Sequence, residues 1–251
     1  MALEAPGADP IVLDLGTGLR FWGETLLSDG SFRGSALVTH LHWDHVQGLP
    51  FFTPVDRPGA QFDIYAPSPD RGDLADAFGE FMRPPYFPVR TSDLRGDIRF
   101  HQVDDTDMVI GEAKVRVRPV PHVGRTNGYR VELGGSTVAY VSDHQQPQDG
   151  GFAIADSVLD LCDGADLLIH DAQFTDAEFA EKSHWGHCTV DYAVEVARRS
   201  GVPRLALFHH DPAHSDDMVD RLVERAQARC GWDGPVEVLA AAEGLTISLG
   251  G

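Results

Sequence analysis

The chain has little cysteine, few basic residues and no long apolar run. Cysteine occurs three times in 251 residues, at Cys162, Cys188 and Cys230. The number is odd, the spacings are wide and no CxxC pair exists. That argues against a disulfide framework or a thiolate zinc site and fits a reducing interior. Lys and Arg total 20 against 39 for Asp and Glu, so the formal net charge is −19. A polyanion meets net repulsion from such a surface. Duplex nucleic acid, whose binding rests on basic side chains neutralising phosphates, is therefore not expected as a partner. A local positive centre, such as bound metal ions, would be needed to reverse the field. The apolar stretches are far shorter than a membrane span. The first ten residues carry two acids, no base and no apolar segment, so no signal peptide is expected. The expectation is a cytoplasmic protein without a membrane partner. Repeats, low-complexity tracts and charged tails are missing too.

What remains is ordinary globular composition, with 42% hydrophobic and 24% charged residues. Strands alternate with helices. Strands are expected at Ile11–Leu15, Ser35–Thr39, Asp63–Ala66, Ile98–Val103, Lys114–Val120, Gly128–Leu133, Thr137–Ser142, Asp166–His170, Arg204–Phe208, Glu237–Leu239 and Leu245–Leu249. Helices are expected at Asp73–Met82, Thr189–Ser200 and Ser215–Cys230. Gly134-Gly135 signals a hairpin. Each half runs from strands to helices and no Pro/Gly/Ser-rich linker divides them. The expected fold class is α/β, with two mixed sheets and helices outside, in a single domain over residues 1–251.

Histidine is the informative residue, with 12 copies. His40, His42 and His45 form one tight group, His184 and His187 another, and His209-His210 a pair. The key string is Thr39-His40-Leu41-His42-Trp43-Asp44-His45 after a strand. Residues two apart in extended chain point the same way, so His40 and His42 can converge on one ion. Asp44 and His45 follow where the chain turns, beside a second position. Imidazole plus carboxylate is a donor set that zinc accepts. Burying so many polar rings without a shared partner would be costly. Trp43 reads as a packing residue, His101 as a strand-surface residue, and His210 and His214 as solvated or outer residues.

HxHxDH after a strand resembles the metallo-β-lactamase superfamily, whose fold is a four-layer αβ/βα sandwich with a one- or two-metal site. Asp14-Leu15-Gly16-Thr17-Gly18 is similar to the family's early Asp-x-Gly turn. Pro121-His122-Val123-Gly124, Val141-Ser142-Asp143 and Leu207-Phe208-His209 match its later ligand positions in order. The resemblance implies one metal on His40, His42, His122 and Asp143 and a second on Asp44, His45, His209 and Asp143. These would be two divalent ions, zinc first, with manganese or iron suited to the same donors. A shared water would be activated to hydroxide, with Asp44 also orienting it. Relatives often have another strand before the Asp-x-Gly turn. Ten residues precede Ile11 here, so that sheet edge is expected to be less covered. Relatives are often dimers, which admits a homodimer.

Two further strings narrow the branch. His170-Asp171-Ala172 and Gly186-His187-Cys188-Thr189 look like the His-Glu-Ala and Gly-His-Ser-Thr elements of ribonuclease Z and related phosphodiesterases. The resemblance implies that His187 acts as general acid and that Asp171 holds its tautomer. Asp171 replaces the usual Glu and Cys188 the usual Ser. The 26 residues between Asp143 and His170 are too few for the long arm that grips transfer RNA. The first expectation is thus a dinuclear phosphodiesterase for a small or cyclic phosphodiester. The alternatives are a carbon-ester hydrolase such as a lactonase or thioesterase, ribonuclease Z-like RNA processing without the arm, and a non-enzymatic metal-binding sensor. Pro84–Val89 is read as either an aromatic wall of the cleft or a hydrophobic plug. The acidic runs at Asp104-Asp105 with Asp107 and at Asp216-Asp217 read as solvated turns and a helix start.

Overall fold

The computed structural model describes residues 1–231 and 237–250. The chain divides into two compact units, Met1–Asp104 with Ile110–Glu112, and Asp105–Val109 with Ala113–Gly251. Each has its own buried apolar core.

The first unit holds β1 (Ala2–Leu3), β2 (Ile11–Leu13), β3 (Arg33–Leu37), β4 (Gln61–Ala66) and β5 (Asp97–Gln102), hydrogen-bonded in that order. β2 to β5 are mutually parallel, and β1 lies antiparallel on β2 with Ala2 opposite Val12. The expectation of a less covered edge is thus corrected, because this two-residue strand shields β2. Helix α1 (Gly18–Glu24) follows β2, and α2 (Leu74–Phe81) follows β4. The Asp73 carboxylate accepts from the Asp76 amide and caps α2. The Leu74/Phe78 stripe of α2 faces the core.

The second sheet has the order β12-β11-β10-β9-β8-β7-β6. Its strands are β6 (Thr106–Ile110), β7 (Ala113–Pro119), β8 (Asn127–Leu133), β9 (Ser136–Val141), β10 (Leu167–Asp171), β11 (Arg204–Phe208) and β12 (Glu237–Ala240). β7, β8 and β9 form antiparallel hairpins, and β9 to β12 are parallel. The β8–β9 turn needs two positive φ angles, which Gly134 (60°) and Gly135 (83°) supply. Helices α3 (Asp156–Cys162), α4 (Asp176–Lys182), α5 (Val190–Arg199) and α6 (Asp216–Cys230) complete this unit. Asp216 and Asp217 open α6, capped by the Ser215 hydroxyl, as acids favour the helix start. Asp105 and Asp107 stand in the solvent beside Arg118.

Leu245–Leu249 is not a strand. The segment has alternating side chains but no ladder partner among the described residues, and it is largely exposed. Among the described residues, no helix is long and apolar enough to cross a membrane.

Candidate active site

Strand register decides where the functional side chains emerge. In the first unit β2 and β3 are parallel, with Leu13 beside Leu37, so both strands end at one edge. Asp14 follows β2 in a left-handed conformation at φ 57°. Such a φ is uncommon outside glycine and costs some backbone energy. It turns the buried Asp14 carboxylate onto the chain leaving β3. There Asp14 Oδ1 accepts the Thr39 amide at 2.7 Å, and the Thr39 hydroxyl lies 3.0 Å from Oδ2. Asp14 Oδ2 also lies 2.8 Å from His45 Nδ1. Burial pushes the Asp14 carboxyl up, but His45, the Thr39 amide and His40 outweigh it and hold it below its ordinary value.

That contact gives Nδ1 of His45 the proton and leaves Nε2 with the lone pair. His45 Nε2 lies 3.2 Å from Asp44 Oδ2. His40 Nδ1 meets the Thr39 hydroxyl at 3.0 Å, while His40 Nε2 and His42 Nδ1 face each other at 2.8 Å. His40 and His45 are buried, whereas His42 and Asp44 stand at the surface. A one-turn 3₁₀ helix, Trp43–His45, carries the chain from one donor pair to the next.

In the second unit β9, β10 and β11 run side by side with Val141, His170 and Leu207 in register. Asp143, Asp171 and His209 therefore emerge at one edge, as ligand-binding residues do in parallel sheets. His122 sits in the β7–β8 loop at that same edge, since Pro119 pairs with Asn127 and β8 runs antiparallel to β9. Asp143 Oδ2 is 3.4 Å from His209 Nε2, 3.7 Å from His187 Nδ1 and 3.9 Å from His122 Nε2. Donor atoms of His122, Asp143 and His187 all lie within 4.8 Å of one another. The other ring nitrogen of His122 bonds the Gly186 carbonyl at 2.7 Å, which leaves its Nε2 lone pair toward Asp143. His209 takes a left-handed φ of 56°, a second departure from ordinary backbone at the site.

His187 and Asp171 form a pair, with Nδ1 to Oδ2 at 2.8 Å. Asp171 is fully buried. Its carboxylate also accepts the His144 amide at 2.9 Å and the Gln173 amide at 3.0 Å, so it cannot swing away. The ring of His187 stacks on that of His209 at 4.9 Å. Behind them His144 Nδ1 meets His170 Nε2 at 2.9 Å, and Cys188 Sγ donates to the Asp171 carbonyl at 3.0 Å. Burial pushes His144 and His170 down and pushes the Cys188 thiol up.

The sequence-derived candidates thus fall into two sets. The first unit carries His40, His42, Asp44 and His45, and the second carries His122, Asp143, His209, His187 and Asp171. The donor chemistry within each set fits divalent metal ions. Ring nitrogens and carboxylate oxygens approach as ligands of one ion do, and neighbouring groups fix the tautomers of His45 and His122.

Two expectations are corrected. Trp43 is not a packing residue, since it is 68% exposed on the short turn between donors. Pro84–Val89 is not a plug, because Tyr86 is 75% exposed and Phe87 is only half-buried, packing edge-on to the exposed Phe51. His101 is on the strand surface as expected, on Asp63 at 2.7 Å, and His214 is an outer residue held by Glu178 at 2.8 Å. The sequence did not reveal the anchoring role of Asp14. Its one signal was the Asp-x-Gly turn Asp14-Leu15-Gly16.

A model of the β-lactamase superfamily domain matches residues 34–210. Ribonuclease Z of Haloarcula marismortui is 28% identical over 252 residues, covering 83% of this chain and 78% of that protein. Among solved structures, the metallo-β-lactamase fold protein YhfI from Bacillus subtilis superposes with a TM-score of 0.73 at 18% identity, covering 97% of this chain and 88% of that one. A diphosphatase of the PhnP family superposes with a TM-score of 0.70 at 18% identity, covering 99% and 83%. The histidine motif, the two mixed sheets and the family match agree: this chain belongs to the metallo-β-lactamase superfamily of metal-dependent hydrolases.

Proposed function

We propose that the chain is a phosphodiesterase acting on a small or cyclic phosphodiester, with the whole chain serving as one hydrolase domain. The observation that carries this reading is the buried Asp171–His187 pair at 2.8 Å, with His187 3.7 Å from Asp143. Asp171 holds Nδ1 of His187, so Nε2 is the atom free to pass a proton to a leaving oxygen. A basic alkoxide leaving from phosphorus needs such a positioned proton donor. The similarity to a ribonuclease Z and to a PhnP-family diphosphatase supports phosphoester chemistry.

In this reading His40, His42, His122 and Asp143 would hold one ion and Asp44, His45, His209 and Asp143 the other. The assignment follows the family resemblance and the donor chemistry of each unit. Zinc is the proposed metal, because imidazoles dominate the set. When bound, such ions supply an activated water and offset the negative charge of the phosphate oxygens. Asp14 orients His45, the Gly186 carbonyl orients His122, and Asp44 would orient the attacking water. Two features support a small substrate over a long RNA. The segment between Asp143 and His170 contains one seven-residue helix and no arm. The net charge of −19 also disfavours an extended polyanion.

The test is turnover by zinc- or manganese-loaded protein of bis(p-nitrophenyl) phosphate, 2′,3′-cyclic nucleotides, a transfer-RNA precursor and a homoserine lactone. Diester turnover is expected, and His187→Ala should reduce turnover of the cyclic nucleotides, whose leaving alkoxide needs a proton, by about 10²-fold or more, in the range typical of general-acid loss. Hydrolysis of the lactone alone, unaffected by His187→Ala, would overturn the reading. Cleavage of the precursor in preference to the small diesters would overturn the small-substrate assignment.

A further inference from the structure

We propose that Gln145 and Gln146 are positioning residues that set the pose of His187 against Asp143. The proposal rests on the phosphodiesterase reading for its kinetic consequence. Gln146 is 2% exposed, and all four hydrogen-bonding sites of its amide are used. Its Oε1 accepts the Thr189 amide at 3.1 Å and the Thr189 hydroxyl at 2.9 Å. Its Nε2 donates to the carbonyls of Gly150 and Gly151 at 3.2 and 3.3 Å. Gln145 works on the other side of His187. Its Oε1 accepts the Gly186 amide at 2.9 Å and its Nε2 donates to the Ser183 carbonyl at 2.8 Å.

The main chain adds two more ties. The Gln145 amide donates to the Pro121 carbonyl at 2.7 Å, and the Gln146 amide donates to the His187 carbonyl at 3.2 Å. Three segments that carry His122, Asp143 and His187 are thereby joined through two consecutive glutamines. Glutamine is the residue type this requires. A carboxylate at 146 could accept from Thr189 but would set its second oxygen against two carbonyls, and asparagine is one methylene too short to span both sides. Close fit on the same loop points the same way. Gly186 sits at φ +99°, and a Cβ there would lie 2.5 Å from His122 Nδ1.

The role is separable from simple stability by a double-mutant cycle and by amide exchange. Gln146→Leu should lower kcat for a cyclic nucleotide by about tenfold to hundredfold, the loss expected when buried hydrogen bonds that aim a proton donor are removed. KM and metal content should change little. In the His187→Ala background the same substitution should change kcat by less than about twofold, since there is no ring left to aim. In metal-free and metal-loaded protein alike, the Thr189 amide should exchange with deuterium at least about tenfold faster in Gln146→Leu. Gln146→Glu, which keeps the size, should move exchange and kcat in the same direction. Should Gln146→Leu not fold, Gln145→Ala gives the same readouts at the Gly186 amide. Unchanged exchange, or an equal kcat loss with and without His187, would overturn the proposal. Absence of diester turnover in the unaltered protein would remove the phosphodiesterase reading, while the exchange measurement would still decide whether the glutamines hold the loop.

Discussion

Asp14 illustrates how a residue that supplies no donor can govern a donor set. One carboxylate fixes the Thr39 backbone, the Thr39 hydroxyl and the tautomer of His45. Asp14→Ala is expected to weaken metal binding by about 10- to 100-fold, the usual effect of losing such an outer partner. Competition with a chromophoric chelator would measure it, and unchanged affinity would contradict the role. Thiol chemistry offers a second residue-scale check. Burial pushes the Cys162 thiol up to about 12, and Cys188 is also raised and fully buried. Neither should react with a disulfide reagent at pH 8 in the folded protein, whereas all three thiols should react in denaturant. Rapid native labelling of Cys162 would contradict its burial. At this scale the sequence was informative where the chemistry is local. HxHxDH is compressed into six positions, so its meaning survives without a fold. The reach of Asp14 across 31 residues to His45, and of Gln145 across 41 to Gly186, depends on strand register and leaves no local pattern.

Secondary elements follow the sequence pattern where burial is one-sided or complete. β10 reads Leu-Leu-Ile before its polar end and is buried throughout, and α5 buries its Val/Ala face behind the Thr189 cap. The seven-residue helices α1, α3 and α4 were not legible, since two turns are too few to establish a period. β6 escaped notice because its side chains are mostly exposed. Leu245–Leu249 alternates like a strand but pairs with no strand among the described residues, which pattern alone does not reveal. Helix α4 carries a capping box, in which the Thr175 hydroxyl receives the Glu178 amide while the Glu178 carboxylate receives the Thr175 amide. Thr175→Ala should cost about 1 kcal/mol in chemical denaturation. Burial raises Glu178, but the Thr175 amide, His214 and the Thr175 hydroxyl lower it further, so its carboxyl lies below the ordinary value. A depressed carboxyl contributes stability that is present above its unfolded value and is lost as pH falls through its folded value. Glu178→Gln should therefore flatten the acid side of the stability profile below about pH 4.3. An unchanged acid limb in that variant would contradict the lowered carboxyl.

For the molecule as a whole, the family match runs from residue 34 to residue 210 and so includes donors from both units. The order of the motifs along the chain pointed to the family before any coordinates, because the candidate ligands follow strand ends in a fixed order. The substrate was less legible, because the exposed setting of side chains such as Trp43 and Tyr86 leaves no mark in the sequence. Ligands that bind only the folded state stabilise it, so removing zinc with a chelator should lower the melting temperature and re-addition should restore it. Saturation at a hundred times Kd corresponds to about 2.7 kcal/mol per ion. A melting temperature indifferent to chelation would count against bound metals. The most direct measurement is anomalous diffraction at the zinc edge from crystals of zinc-loaded protein. Two peaks about 3.5–4 Å apart are expected, one on His40, His42 and His122, the other on Asp44, His45 and His209, with Asp143 reaching both. A single peak, or peaks on other side chains, would contradict the dinuclear centre.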